Sequence, residues 1–225
     1  MPVCDITGRV HDGMWGSPPP FPTYHLHHIP QPAWVEHPVF MESFEGLHSQ
    51  TGTYLETPAH WYGNTYQLID VPVEKLMDIP CVILRLPEPV PGDSRPPVTL
   101  TAIEQAIADA GEIPAGAAIL VACGWGKHWD EPFYISAAPY FTREAMERII
   151  ALAPFLLGSD IPAWENRDDP QNFFESFYAA DILMLAPVVR LEDVPADAEN
   201  LRFTALAPAI EGTSCVPCRA VLRWD

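Results

Sequence analysis

The segment Ser49–His60, reading SQTGTYLETPAH, holds the densest set of side chains able to do chemistry. Gln50, Tyr54, Glu56 and His60 fall at even spacing, with His48 just ahead of them. In an extended strand, side chains two apart share a face, so a strand here would aim all five the same way. Gly52 and Pro58 interrupt regular strands, which limits the strand to part of the segment. An imidazole that titrates near ~6.5, close to a carboxylate and a phenol, is the material of proton transfer at neutral pH. His60 is the candidate general acid/base, and Glu56 is placed to orient or polarise it. Tyr54 is a neutral donor for a developing oxyanion.

Two further clusters stand out. Trp125, His128 and Trp129 follow an apolar run and are candidate pocket-lining residues, because loops after strands often form pockets. His25, His27 and His28 sit in a proline-rich stretch. Imidazole is a common metal ligand, but no Cys, Asp or Glu stands beside these three, so the metal signal is weak. Cys215-Val-Pro-Cys218 is a lone CxxC without the second pair a zinc ribbon needs, and it reads as a structural thiol pair.

The elements that must position these groups read as a mixture of strands and helices. Cys81–Leu86, Ala117–Cys123, Phe155–Ser159 and Ile182–Ala186 are short apolar runs expected as buried strands, and Leu201–Ile210 and Arg219–Leu222 as closing strands. Thr101–Ala110 reads as a helix capped by Thr101, with Glu104 completing a capping box and Gly111 as the stop. Thr142–Leu152 reads as a second helix with Thr142 as N-cap. The 26 prolines argue against a helical bundle. Residues 11–38 read as a long irregular Pro/His-rich arm, anchored by Trp15, Phe21, Tyr24 and Trp34 and suited to a subunit interface. One α/β domain over residues 1–225 is expected.

A formal net charge of −18 repels nucleic-acid phosphates and anionic membranes, so neither is expected as a partner. No apolar run is long enough to span a bilayer, and the start of the chain does not read as a signal peptide. A cytoplasmic location is therefore expected. The five cysteines are too widely spaced for a disulfide framework. There is no GxGxxG, Walker A, GxSxG or HExxH motif, which removes support for nucleotide binding, serine-hydrolase and zincin chemistry.

Gln50-Thr51-Gly52-Thr53-Tyr54-Leu55-Glu56-Thr57-Pro58-Ala59-His60 resembles the signature H-x-G-T-H-x-D-x-P-x-H of the cyclase family of metal-dependent hydrolases, which includes kynurenine formamidase and isatin hydrolase. Asp5-Ile6-Thr7 with Gly13-Met14, Gly124-Trp125 with Trp129, Tyr140–Ala145, and Ile210-Glu211-Gly212 with Pro217-Cys218-Arg219-Ala220 resemble further family segments in the same order. The resemblance implies a swivelling β/β/α fold with a mixed sheet and flanking helices, and a homodimer or homotetramer. It also implies water-dependent opening of an amide, lactam or lactone of a small, cyclic or aromatic substrate at zinc or manganese, with the last motif histidine, here His60, as general acid/base.

The ligand positions depart from the family. The histidines correspond to Gln50 and Tyr54, and the Asp to Glu56. A second ligand pair aligns near Tyr178 and Arg190, and Arg cannot ligate a cation. Gln and neutral Tyr are poor zinc ligands. Glu56 and Gln50 remain the best metal candidates in an altered or lost centre, with Trp15, Trp125, Trp129, Gln50, Tyr178 and Arg190 as substrate-binding candidates. The alternatives are a metal-independent cyclase or lyase-type enzyme and a non-catalytic small-molecule binding protein.

Overall fold

The apolar runs become the middle of one sheet. The computed structural model describes residues 1–16, 18–63, 65–92 and 94–225, so position 17 of the arm lies outside the described residues. In chain order the strands are β1 Val3–Asp5, β2 His25–His28, β3 Glu42–Glu45, β4 Tyr54–Glu56, β5 Ile79–Arg85, β6 Pro97–Val98, β7 Ala118–Ala122, β8 Tyr140–Phe141, β9 Leu156–Ser159, β10 Leu183–Ala186, β11 Arg202–Leu206, β12 Cys215–Pro217 and β13 Arg219–Arg223. The helices are α1 Ala59–Tyr62, α2 Leu100–Ala110, α3 Arg143–Ile150 and α4 Phe174–Ala179. Nine strands form a mixed sheet in the order β1-β13-β11-β5-β7-β9-β10-β4-β12. The four central strands β5, β7, β9 and β10 run parallel, and antiparallel strands extend both sides.

Parallel strands buried on both faces read as continuous apolar runs, and β7 shows why. Ile119 and Val121 face one core, packed with Ile103 and Ala106 of α2 and with Met146 and Ile149 of α3. Ala118, Leu120 and Ala122 face the other, with Leu55, Leu185, Phe203 and Val216. Each large apolar side chain buried in this way contributes about 1.5–3 kcal/mol. The α/β class with flanking helices is thus what the chain forms.

Three local expectations need correction. The cap of α2 is Thr99, not Thr101: its hydroxyl accepts from the Ala102 N–H. The β6–β8 pairing, Val98 with Phe141, ends just before Thr99, so the helix begins at Leu100, one residue before the expected start. Glu104 then forms no box and instead meets Arg148 of α3 at 2.7 Å. The closing strand β11 stops at Leu206, shortly before Pro208, instead of running to Ile210. Thr142 does cap α3, accepting from the Ala145 N–H.

The arm is not wholly irregular. β2 pairs with β3 in a separate antiparallel ribbon that sets His25 opposite Glu45 and His28 opposite Glu42. His27 Nε2 lies 2.7 Å from Glu45 Oε2, and His25 Nδ1 lies 3.3 Å from Asp12 Oδ1. The three imidazoles therefore have carboxylate neighbours that sequence proximity did not reveal. Among the described residues, no group of three or more His, Cys, Asp or Glu side chains is placed to hold a metal. No helix among them is long and apolar enough to cross a membrane.

Candidate functional site

The polar segment folds as a strand followed at once by a helical turn. Gly52, at φ +69°, turns the chain into β4 where a Cβ would strike Val10 Cγ2 at 2.7 Å. Within β4 the period-2 alternation holds: Leu55 enters the core, while Tyr54 and Glu56 face a cavity. Pro58 then stands at the head of α1 and His60 rides on that helix, no longer on a strand. The two pieces still converge, and His60 Nδ1 lies 3.6 Å from Glu56 Oε2. His60 is 41% exposed and Glu56 only 1%, so an accessible imidazole sits over a buried carboxylate.

Glu56 is held from several sides. Tyr178 of α4 donates its hydroxyl to Oε1, and the Gln50 amide donates to Oε2 at 3.1 Å. In the sheet Glu56 is register partner to Met184 of β10 and to Cys215 of β12. Burial pushes the Tyr54 phenol well above its usual range, with the neighbouring Glu56 adding to the effect. Burial likewise raises the Tyr178 phenol, with Glu56 reinforcing it. Both hydroxyls are therefore retained as donors. Burial and Glu56 also raise the Cys215 thiol, which bonds to the Ser49 carbonyl at 3.1 Å. A thiol held protonated in the free protein is a poor nucleophile there.

This donor set does not fit a catalytic zinc or manganese centre. Both carboxylate oxygens of Glu56 already accept hydrogen bonds, Gln50 directs its N–H at one of them, and among the described residues no group of three or more His, Cys, Asp or Glu side chains is placed to hold a metal. Zinc asks for imidazole, thiolate or carboxylate ligands, and manganese for open oxygen donors. His48 does not complete a centre: its ring packs on Phe21 at 4.9 Å, and its Nδ1 accepts from the Gln50 backbone N–H.

The cavity has a volume of about 630 Å³, within the ordinary range for small-molecule sites. Gln50, Tyr54, Glu56, His60, Trp15 and Tyr178 all border it. One wall is an aromatic stack that sequence reasoning missed. Trp61 lies 6.2 Å from Tyr178 at an interplanar angle of 22°, and Phe174 lies 5.7 Å from Tyr178 at 16°. The adjacency of Trp61 to His60, and the helical spacing of Phe174, Phe177 and Tyr178, were the available signals.

Trp125, Trp129 and Arg190 do not border this cavity. Trp125 is fully buried in the core and donates its indole N–H to the Tyr134 carbonyl. Trp129 covers Gly8, where a Cβ would meet its ring at 2.0 Å, and donates to the Arg9 carbonyl. Arg190 takes a left-handed turn at φ +61° that starts a short 3₁₀ segment, and its guanidinium pairs with Asp193 at 2.7 Å.

Asp160 anchors the Trp125 turn from within the core, accepting from the Cys123 and Trp125 N–H groups. Burial raises its carboxyl to about 6, against the opposing pull of these hydrogen bonds. A raised folded-state value means that the native chain binds more protons than the unfolded one between pH ~4 and ~6. Its contribution is fully present below pH ~4 and is lost as pH rises through about 6. Removing the charge removes that slope. From pH 4 to 7, the unfolding free energy of Asp160→Asn is expected to gain about 3 kcal/mol relative to wild type. Urea titrations of both proteins at the two pH values check this, and parallel pH profiles would refute it.

Comparison with known proteins gives a consistent fold. Residues 4–166, well over half the chain, match the family model described as "Putative cyclase". No curated protein matches the chain. An isatin hydrolase bound to the product analogue thioisatinate superposes with a TM-score of 0.82 at 21% identity, covering 99% of this chain and 92% of that one. Isatin hydrolase A from Labrenzia aggregata gives 0.80 at 18% identity, covering 98% and 93%. A predicted metal-dependent hydrolase from Bacillus stearothermophilus gives 0.73 at 18%, covering 98% and 97%.

Proposed function

Because the chain belongs to the cyclase family, we propose that it is a hydrolase opening an amide, lactam or lactone of a small planar substrate, with His60 as general acid/base and no divalent metal at the family's ligand positions. The observation that carries this reading is the accessible imidazole of His60 above the buried, doubly hydrogen-bonded carboxylate of Glu56. The aromatic wall of Trp61, Phe174 and Tyr178 supplies a flat apolar surface for a ring. Two solved relatives of the same fold are isatin hydrolases, and isatin is a planar cyclic amide.

In this reading Glu56 fixes the orientation of the imidazole and stabilises its charged form. At 3.6 Å the pair closes into a hydrogen bond only with a small shift, as catalytic contacts often do when substrate arrives. The far ring nitrogen takes a proton from water as the water oxygen bonds to the acyl carbon. The same proton then goes to the leaving nitrogen or oxygen as the acyl bond breaks. Tyr54, kept as a neutral phenol at the cavity, is the donor for the oxyanion formed between these steps. With no metal to lower the pKa of water, the site suits activated acyl groups.

A screen over isatin, aryl formamides and lactones tests this reading, using protein assayed before and after chelation. Turnover is expected to survive chelation, with metal content well below one ion per chain. Activity lost to chelator and restored by zinc or manganese would overturn the metal-independent part. The exchange of both motif histidines also favours a binding protein that kept the fold, and tight binding without turnover of any of these compounds would establish it.

A further inference from the structure

We infer that Arg167 recognises an anionic group, of carboxylate chemistry, carried by the substrate away from the bond that is cleaved. The substrate class proposed above is thereby narrowed to aromatic amides, lactams or lactones that bear an acid. This rests on that reading for the reaction, though not for the binding.

Cations are scarce in this chain, with 12 Lys and Arg against 30 Asp and Glu. Most are engaged: Arg148 with Glu104, Arg219 with Asp5, Arg223 with Asp78. Two arginines border the cavity. Arg95 is consumed by structure, since its guanidinium donates to the carbonyls of Ala138 at 2.7 Å, Pro139 at 2.9 Å, Glu165 at 2.5 Å and Ala163. Arg167 is exposed at the same wall and has no ion pair or side-chain hydrogen bond among the described residues. This guanidinium, without a partner among the described residues, borders the aromatic cavity.

The wall that carries Arg167 is fixed. Arg95 ties down the carbonyls on either side of Trp164. The Glu165 carboxylate accepts from the Gln171 and Phe173 N–H groups, which joins the wall to the start of α4. The neighbouring acid, Asp168, donates its backbone N–H to Asn166 and makes no ion pair with Arg167 in this structure. Among the described residues nothing occupies the fork of donors on Arg167, and a planar guanidinium matches a carboxylate bidentately. Hydrolysis itself makes a carboxylate, but at the acyl carbon beside His60. A cation on a separate wall segment reads a second, pre-existing acid, and about 630 Å³ leaves room for one beyond a ring.

Binding of 4-acetamidobenzoate and its neutral partner 4-acetamidobenzamide tests this, read by calorimetry at low salt on wild type, Arg167→Gln and Arg167→Lys. Wild type is expected to bind the acid about five- to tenfold more tightly than the amide. Arg167→Gln should erase that ratio, and Arg167→Lys should keep part of it. Equal affinity of wild type for the two probes, no measurable binding of the acid, or an unchanged ratio in Arg167→Gln would overturn the proposal. Neither probe needs to be turned over, so a failed hydrolysis screen and a failed binding preference remain separate results.

Discussion

Replacing His60 by Ala is expected to lower turnover by at least about a hundredfold while moving Tm by no more than a few degrees. The two halves of that expectation have different origins. His60 is 41% exposed, on a helix of four residues. Its backbone N–H bonds to the Thr57 carbonyl, a contact that survives the substitution. Its ring makes no hydrogen bond among the described residues, Glu56 being 3.6 Å away. Surface substitutions with so few contacts seldom change stability by more than ~0.5 kcal/mol. A large loss of rate in a protein that melts normally is therefore a chemical loss. Initial rates on a substrate from the ring-opening screen, with a thermal melt of the same preparation, provide the measurement. Wild-type turnover in His60→Ala would remove the imidazole from the mechanism.

The relation between Glu56 and His60 was legible because it is local. Residues four apart meet either on a helix or across a strand that bends into one, and Pro58 ensures the bend. The partners that hold Glu56 were less visible. Cys215 and Met184 are its neighbours only through sheet register, over sequence separations that no local pattern encodes. Tyr178 came into view through its alignment with a family ligand position. The structure gives it a different task, as hydrogen-bond donor to the carboxylate.

Trp125, Trp129 and Trp61 illustrate the same limit. All three stand beside strand ends or short helices, and sequence alone does not separate a tryptophan that fills a core from one that walls a cavity. The core took the first two, through the close approach at Gly8 and the indole bond to Tyr134. The cavity took the third. Arg190 was misplaced because it stands beyond the end of β10, at a left-handed turn of its own, with its guanidinium paired to Asp193. The metal positions were legible as substitutions. What the substituted residues do instead, which is to bind one another around a single carboxylate, required coordinates.

Glu56 separates structure from chemistry more sharply, because two substitutions should diverge. Glu56→Ala removes the acceptor for the Tyr178 hydroxyl and the Gln50 amide and leaves both donors facing a void. Buried bonds to a charged group are worth roughly 1.5–3 kcal/mol each, and losing two predicts a fall of about 3–6 kcal/mol. For a chain of this size that is a Tm lower by about 6–24 °C. Glu56→Gln keeps the volume and one carbonyl oxygen for Tyr178. Its new N–H₂ faces the Gln50 N–H₂, but Gln50 can turn its amide over and offer oxygen instead. Stability is then expected to stay within about 1–2 kcal/mol of wild type. Turnover is not, because a neutral amide cannot stabilise the imidazolium that forms on His60 in the transition state, and about a hundredfold loss in kcat is expected. Calorimetric melting and kcat on the same three proteins make the comparison. If Glu56→Gln melts normally and also turns over normally, the carboxylate is a buried strut for β4, and the charge beneath His60 has no part in the reaction.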